Sequence, residues 1–286
     1  PYNQWLQIHH MIDQYPPEAE WVLNARHAYY GMVSYFDHQV GRLVGELERL
    51  GLAQNTVVVV TSDHGEMLGE HGMWFKRTYF DPATRVPLIA SGPGIQPQAR
   101  RSETVSLVDL APTFLESAGV SDLQEIGETL DGCSLVPLLR GEHTDWKDLA
   151  ISDYCSEGAC QPMRMAAGGG WKYVYVHDEP AQLFELTTDP DELIDRVDDP
   201  TAAVALSRLR EAAHDDWDPA TIRQRVLDSQ QCRRWINESW QAGDAPAWDV
   251  QPSQDARSQY VRQQDAQETA RRRRWPVWRE SGNDTE

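Results

Sequence analysis

At 286 residues with a hydrophobic content of 40%, the chain can form one large or two modest domains with a real core. A formal net charge of -19 excludes general nucleic-acid binding and attachment to an anionic membrane surface, since both need a basic face. No apolar run approaches the roughly 20 residues that cross a bilayer, and no basic segment followed by an apolar core stands at the N-terminus.

The first residue is Pro1, which points to a processed or truncated product. Residues 1 to 25 are mixed and polar, broken by Pro16-Pro17, and predict a loop with a short helix. From Arg26 the pattern changes. Tyr29, Val33, Phe36, Val40, Leu43, Leu47 and Leu50 recur at three- and four-residue steps, so one apolar stripe runs down a helix that Gly51 can end. Val57 to Val60 then form a β-branched run between Asn55-Thr56 and Asp63-His64-Gly65, as expected of a strand covered on both faces in a parallel sheet.

A long loop rich in Gly, His and aromatics is expected to about Thr84, followed by an apolar strand from Val86 to Ala90 that Ser91-Gly92-Pro93-Gly94 ends. Leu107 to Gly119 reads as a helix that either begins late or kinks at Pro112. Ala150-Ile151-Ser152 suits a further strand. Met163 to Ala166 and Trp171 to Val176 flank Gly168-Gly169-Gly170 as an antiparallel hairpin, and Leu183 to Leu186 can add a strand. Helical character returns over residues 201 to 241. From Gln241 the chain is polar, with Trp248, Tyr260, Trp275 and Trp278 at no helical spacing and a basic run, Arg271 to Arg274, that suits a solvated patch.

These elements predict an α/β fold: a mostly parallel sheet flanked by helices over residues 1–149, a smaller antiparallel sheet with helices over 150–240, and a polar aromatic tail over 241–286. Cys133, Cys155, Cys160 and Cys232 have neither the CxxC spacing of a zinc site nor the density of a disulfide scaffold, so reduced thiols and a cytoplasmic location are expected.

Ligands of open α/β sheets bind beyond the carboxyl ends of the strands. The valine run ends there in Asp63 and His64, two metal-capable side chains, and Lys76 follows with a positive charge for an anion. Asp before Gly is also a common turn element, but the further His71 and the ammonium of Lys76 near one strand mouth favour a functional cluster.

The stretch DHGEMLGEHGMWFK, followed by TRVPLI and SGPG, resembles the C-terminal half of the sulfatase family within the alkaline phosphatase superfamily. ARHAYYGMVSYFDHQVG before it, DGCSLVPLL after it, and the segment from Leu183 to Glu192 extend the likeness over most of residues 26 to 195. Trp248-Asp249-Val250-Gln251-Pro252 and Ala256 to Arg262 resemble the tail of the choline sulfatase group. The resemblance implies an alkaline-phosphatase-like fold and metal-dependent hydrolysis of a sulfate ester. It places Asp63 and His64 on a pair of metal ligands for Ca²⁺, with Mg²⁺ or Mn²⁺ as alternatives because a His donor is softer than oxygen. Lys76 falls on the lysine that contacts sulfate, and Arg85 suits holding a carboxylate. A quaternary ammonium leaving group would need aromatic faces and carboxylates, for which Asp153, Tyr154, Glu157, Trp248 and Asp249 are candidates.

The resemblance also implies a formylglycine made from Cys or Ser in a C/S-x-P-x-R motif. The expectation is that this chain holds no such nucleophile, that it is the C-terminal portion only of an incomplete fold, and that it is inactive alone. Packing across subunits through the tail, giving a homo-oligomer, is implied as well. Rival expectations are a phosphonate monoester or phosphodiester hydrolase of the same superfamily, and a noncatalytic remnant or assembly module.

Overall fold

The computed structural model describes residues 2–120 and 130–243. Two units emerge, Pro1–Gln224 and Arg225–Glu286. In the first, α1 (Tyr2–His9) precedes the long helix α2 (Ala19–Arg49). The periodic stripe does form a helix, and Gly51, at φ 73°, stands just beyond its end where a left-handed residue is needed. No residue of α2 is buried, however, and Tyr30, Met32, Tyr35, Phe36 and Leu43 are each more than half exposed.

Strand β1 (Val58–Thr61) pairs with β4 (Leu88–Ser91), and the pairing is antiparallel, with Val59 opposite Ala90. The expected mostly parallel sheet is therefore corrected: every strand pair among the described residues is antiparallel. All four β1 residues are half-buried rather than enclosed on both faces. A β-branched run specifies extended backbone, but it carries no information on partner direction, which the intervening connection decides. That connection is not the irregular loop expected. Strands β2 (Met67–Leu68) and β3 (Trp74–Phe75) form a short ribbon, and the one-turn helix α3 (Asp81–Thr84) follows, started by Pro82.

Further on, Ser106 and Asp109 make a reciprocal capping box, and α4 (Leu110–Ser117) begins late, with Pro112 in its first turn where its missing N–H costs nothing. The short helix α5 (Val136–Arg140) stops at Gly141.

A four-stranded antiparallel sheet follows in the order β5 (Ala150–Tyr154), β6 (Met163–Gly168), β7 (Trp171–Val176) and β8 (Gln182–Glu185). Gly169 and Gly170, both at positive φ, make the β6–β7 turn. Alternation along the strands divides two cores. Met163, Met165, Val174, Val176 and Phe184 pack with Tyr2, Leu6, Met67, Met73, Tyr79 and Phe80. On the opposite face Ala166, Tyr173 and Leu183 pack with Leu209 and Ala213 of α6 (Ala203–His214). Each large apolar side chain enclosed this way contributes roughly 1.5–3 kcal/mol. The first core matters most for function, because it fastens the β2–β3 ribbon and Tyr79–Phe80 to the larger sheet.

Helix α7 (Pro219–Ala242) begins in the first unit, and its remainder from Arg225 is the described part of the second, with no buried residue. The expectations placed on Trp248, Asp249 and the rest of the tail fall outside the described residues. No described helix is long and apolar enough to cross a membrane.

Candidate active site

Beyond β1 the chain turns sharply, and the turn is fixed by its own hydrogen bonds. The Asp63 carboxylate accepts the His64 backbone N–H at 3.0 Å, and the Ser62 hydroxyl donates to the His64 carbonyl at 2.8 Å. Gly65 is required by its surroundings: a Cβ there would lie 2.0 Å from the Pro82 carbonyl oxygen. That contact lets the Gly65 and Glu66 N–H groups donate to the carbonyls of Ala83 and Pro82, each at 2.8 Å. The end of β1 is thus seated on the backbone of α3.

The expected residues do meet. His64 Nδ1 lies 2.8 Å from the Gly65 carbonyl, which can only accept, so that nitrogen carries the proton and Nε2 presents a lone pair. Lys76 Nζ stands 2.6 Å from Nε2, and Asp63 Oδ2 stands 3.3 Å from it. One carboxylate oxygen, one imidazole lone pair and one ammonium therefore converge on a single exposed mouth. Burial pulls the Asp63 carboxyl upward, yet the His64 ring and the hydrogen bonds from His64, its own backbone and Ser62 hold it below its ordinary value, so it is an anion near neutral pH. Lys76 reaches this point because Phe75, just before it, takes φ 68° and redirects the chain at the end of β3.

Glu66 belongs to the same grouping and was not singled out from sequence. Burial raises its carboxyl pKa, while the neighbouring His64 ring, the Lys76 ammonium and the Phe75 N–H pull it back. A Glu two residues past a metal-capable His is the signal that could have found it. The flanks of Lys76 are braced from outside the ribbon. The His10 ring lies 4.6 Å from the Phe75 ring, and Arg77 forms an ion pair with Glu157.

Asp153 and Glu157, the two described carboxylates expected to face a cation, are each held by an arginine. Arg164 forks onto Asp153, with Nη2 at 2.8 Å from Oδ2, and also lies over the Trp217 ring at 4.8 Å. Arg85 lies 3.7 Å from Asp81 and is largely exposed, so this pair holds little. Asp63 and His64 offer a hard and a borderline donor, which suits part of the shell of a divalent ion. Among the described residues no group of three or more His, Cys, Asp or Glu side chains gathers around one point. A cavity of about 390 Å³ opens elsewhere, walled by Arg101, Glu103, Trp146 and Asp148 among others, and none of the converging residues lines it.

The sulfatase family model matches residues 4–120, and the model for the C-terminal region of N-sulphoglucosamine sulphohydrolase matches residues 69–216, more than half of the chain. The chain belongs to the sulfatase family. A third model, the C terminus of choline sulfatase, matches residues 224–276. The choline-sulfatase of Rhizobium meliloti (strain 1021) is 36% identical over 266 residues, covering 92% of this chain and 51% of its own length. The arylsulfatase K of Xenopus laevis is 35% identical over 211 residues, covering 66% and 38%. Among solved structures, the phosphonate monoester hydrolase of Agrobacterium radiobacter superposes with a TM-score of 0.57 at 30% identity, over 65% of this chain and 40% of that one. The chain spans about half the length of that choline-sulfatase and less of the other two.

Two expectations are corrected by these matches and by the sequence itself. The likeness begins well before residue 26, since the matched intervals start at residue 4 and run to residue 276, and the view of the chain as a C-terminal portion of an incomplete, inactive enzyme is withdrawn. Nor is the nucleophile pattern absent: Cys160-Gln161-Pro162-Met163-Arg164 spells C-x-P-x-R. The pattern lies where the β5–β6 loop enters β6, and the expectation that none of the four cysteines begins such a run is wrong at Cys160. Cys160 is exposed there, Met163 is buried in the first core, and Arg164 is the residue forked onto Asp153.

Proposed function

We propose that this chain carries a hydrolytic site for sulfate esters, with a choline-sulfate-like molecule as the leading substrate. The observation that carries the proposal is the meeting of Asp63 Oδ2, His64 Nε2 and Lys76 Nζ at the mouth beyond β1, in a chain of the sulfatase family. Asp63 and His64 are the residues that would hold a divalent ion, with Ca²⁺ first and Mg²⁺ or Mn²⁺ as alternatives; when bound, that ion would polarise a sulfate oxygen. The hydrogen bond from Nδ1 to Gly65 leaves Nε2 as the nitrogen that would take an ion, once Lys76 Nζ gives up its present 2.6 Å contact with it. Lys76 then neutralises negative charge on the sulfuryl group as it transfers, a task for which a preorganised ammonium is worth more than in water.

For the leaving group, Trp248 and Asp249 of the tail support recognition of a quaternary ammonium by an aromatic face and a carboxylate, in keeping with the choline sulfatase match over 224–276. Asp153 and Glu157 join them only by loosening Arg164 and Arg77. The tail as a contact between subunits rests on the resemblance alone. The four thiols, free in the structure, support a reducing compartment such as the cytoplasm.

A specific observation favours a second activity, namely the likeness to a phosphonate monoester hydrolase, whose substrate is also a tetrahedral anion. Steady-state rates on choline sulfate, an aryl sulfate and a phosphonate monoester separate the two. The proposal expects kcat/KM to be highest on a sulfate ester, and a preference for the phosphonate by orders of magnitude would replace it with the second activity.

A further inference from the structure

Lys172 is a buried cation that the chemistry above does not use. It sits in β7 on the face that carries Val174 and Val176, and only 1% of it is exposed. Its ammonium donates to the Tyr79 carbonyl at 2.9 Å, to Glu192 Oε1 at 2.8 Å and to the Asp81 carboxylate, so all three protons are placed. The other oxygen of Glu192 accepts the Asp81 backbone N–H at 2.6 Å. Glu192 is itself 3% exposed and takes φ 54°, a conformation that a non-glycine residue keeps only where its surroundings over-determine it.

What lies next along the chain gives this cluster its meaning. Asp81 is followed by Pro82 and Ala83, whose carbonyls accept the N–H groups of Glu66 and Gly65. A continuous path of short bonds therefore runs from the four-stranded sheet through Lys172 and Glu192 to residues 79–83, and from there to the turn that presents Asp63 and His64. Fold stability alone does not call for such a cluster, because buried ion groups are often matched or bettered by apolar side chains of similar size. We infer that Lys172, through Glu192 and Asp81, is a positioning residue that fixes the Asp63-His64 turn against Lys76.

The inference rests on the proposed role of that turn, so its test includes a readout that does not require activity. In Lys172→Met, an apolar replacement of similar length, amide hydrogen exchange at Gly65 and Glu66 is expected to rise about tenfold or more, while the amides of β6 and β7 keep their protection. With sulfate ester, kcat should fall more than KM changes, as when reacting groups are misplaced rather than substrate lost. Lys172→Arg, which retains the charge and donors, should recover part of both. If Lys172→Met does not fold, Glu192→Gln decides by the same two readouts, since one carboxamide oxygen cannot serve both Lys172 and the Asp81 N–H as a carboxylate does. Unchanged exchange at Gly65 and Glu66 in a folded variant overturns the inference, and so does an equal rise throughout β5–β8, which marks a role in global stability alone. Failure of Lys76→Ala to affect turnover would instead remove the proposed function and leave the exchange result standing.

Discussion

His10 gives the molecule a pH dependence that can be worked out from its surroundings. Its imidazole lies against Phe75 and near Arg77, whose Nη1 is 3.5 Å from Nδ1. Burial, followed by the charges of Arg77 and His9, lowers its pKa from 6.5 to about 4. The unfolded chain thus binds a proton between about pH 6.5 and pH 4 that the folded chain refuses, and stability rises with pH across that window. The contribution is fully present above about 6.5 and is lost as pH falls through the window toward 4. At roughly 1.4 kcal/mol per tenfold change in proton affinity the ceiling is near 3 kcal/mol, and since His10 is only half enclosed, solvent screening leaves on the order of 1–2 kcal/mol. The assay is urea unfolding of wild type and His10→Phe, which keeps a ring against Phe75, at about pH 7.5 and pH 4. His9 and His214 are shifted the same way and are common to both proteins, so only the difference between them is read. The wild type should lose on the order of 1–2 kcal/mol more than the variant on acidification. Equal losses would refute the reasoning, because His10 would then titrate alike in both states.

The other predictions concern the site and its supports. Gly65→Ala places a Cβ 2.0 Å from a backbone carbonyl that cannot swing aside, so the turn should leave α3 with a loss of roughly 1–3 kcal/mol in urea unfolding and a fall in turnover; wild-type stability would show the turn to be adaptable. Arg164→Met removes the fork onto Asp153 and the contact over Trp217, and should cost about 1–2 kcal/mol in thermal unfolding, since Asp153 regains water; no loss would mean that the pair is a surface ornament of the fold. Deleting residues 244–286 should convert an oligomer to a smaller species by light scattering, and an unchanged mass would remove the tail from assembly.

Much of the candidate site is legible in the sequence, because Asp63, His64 and Lys76 lie within fourteen residues, a span that one turn and one short ribbon can fold back on itself. The valine run, the stripe of α2 and the hairpin about Gly169-Gly170 likewise declare themselves by period and turn chemistry. Strand direction does not. Val57 to Val60 say that the chain is extended, whereas the antiparallel pairing with β4 depends on the ribbon and helix between them. The support of the turn is hidden for a different reason: Lys172 and Glu192 reach Asp81 across 91 and 111 residues, and a lone Lys in an apolar strand reads as a surface residue. The C-x-P-x-R run at Cys160 is fully legible in the sequence. What it spells and what Arg164 does in the fold are separate facts, and only the second required the structure.

Metal content and turnover measured together in Asp63→Ala and Lys76→Ala test the central claim most directly. Elemental analysis should find the divalent ion lost from Asp63→Ala, together with hydrolysis of choline sulfate, because one hard ligand is gone from a site with few substitutes. Lys76→Ala should keep the ion and lower kcat by roughly 10²- to 10³-fold, the scale of one lost charge-stabilising group. Full metal content in Asp63→Ala, or undiminished turnover in Lys76→Ala, would contradict a site in which these residues hold the ion and the sulfate.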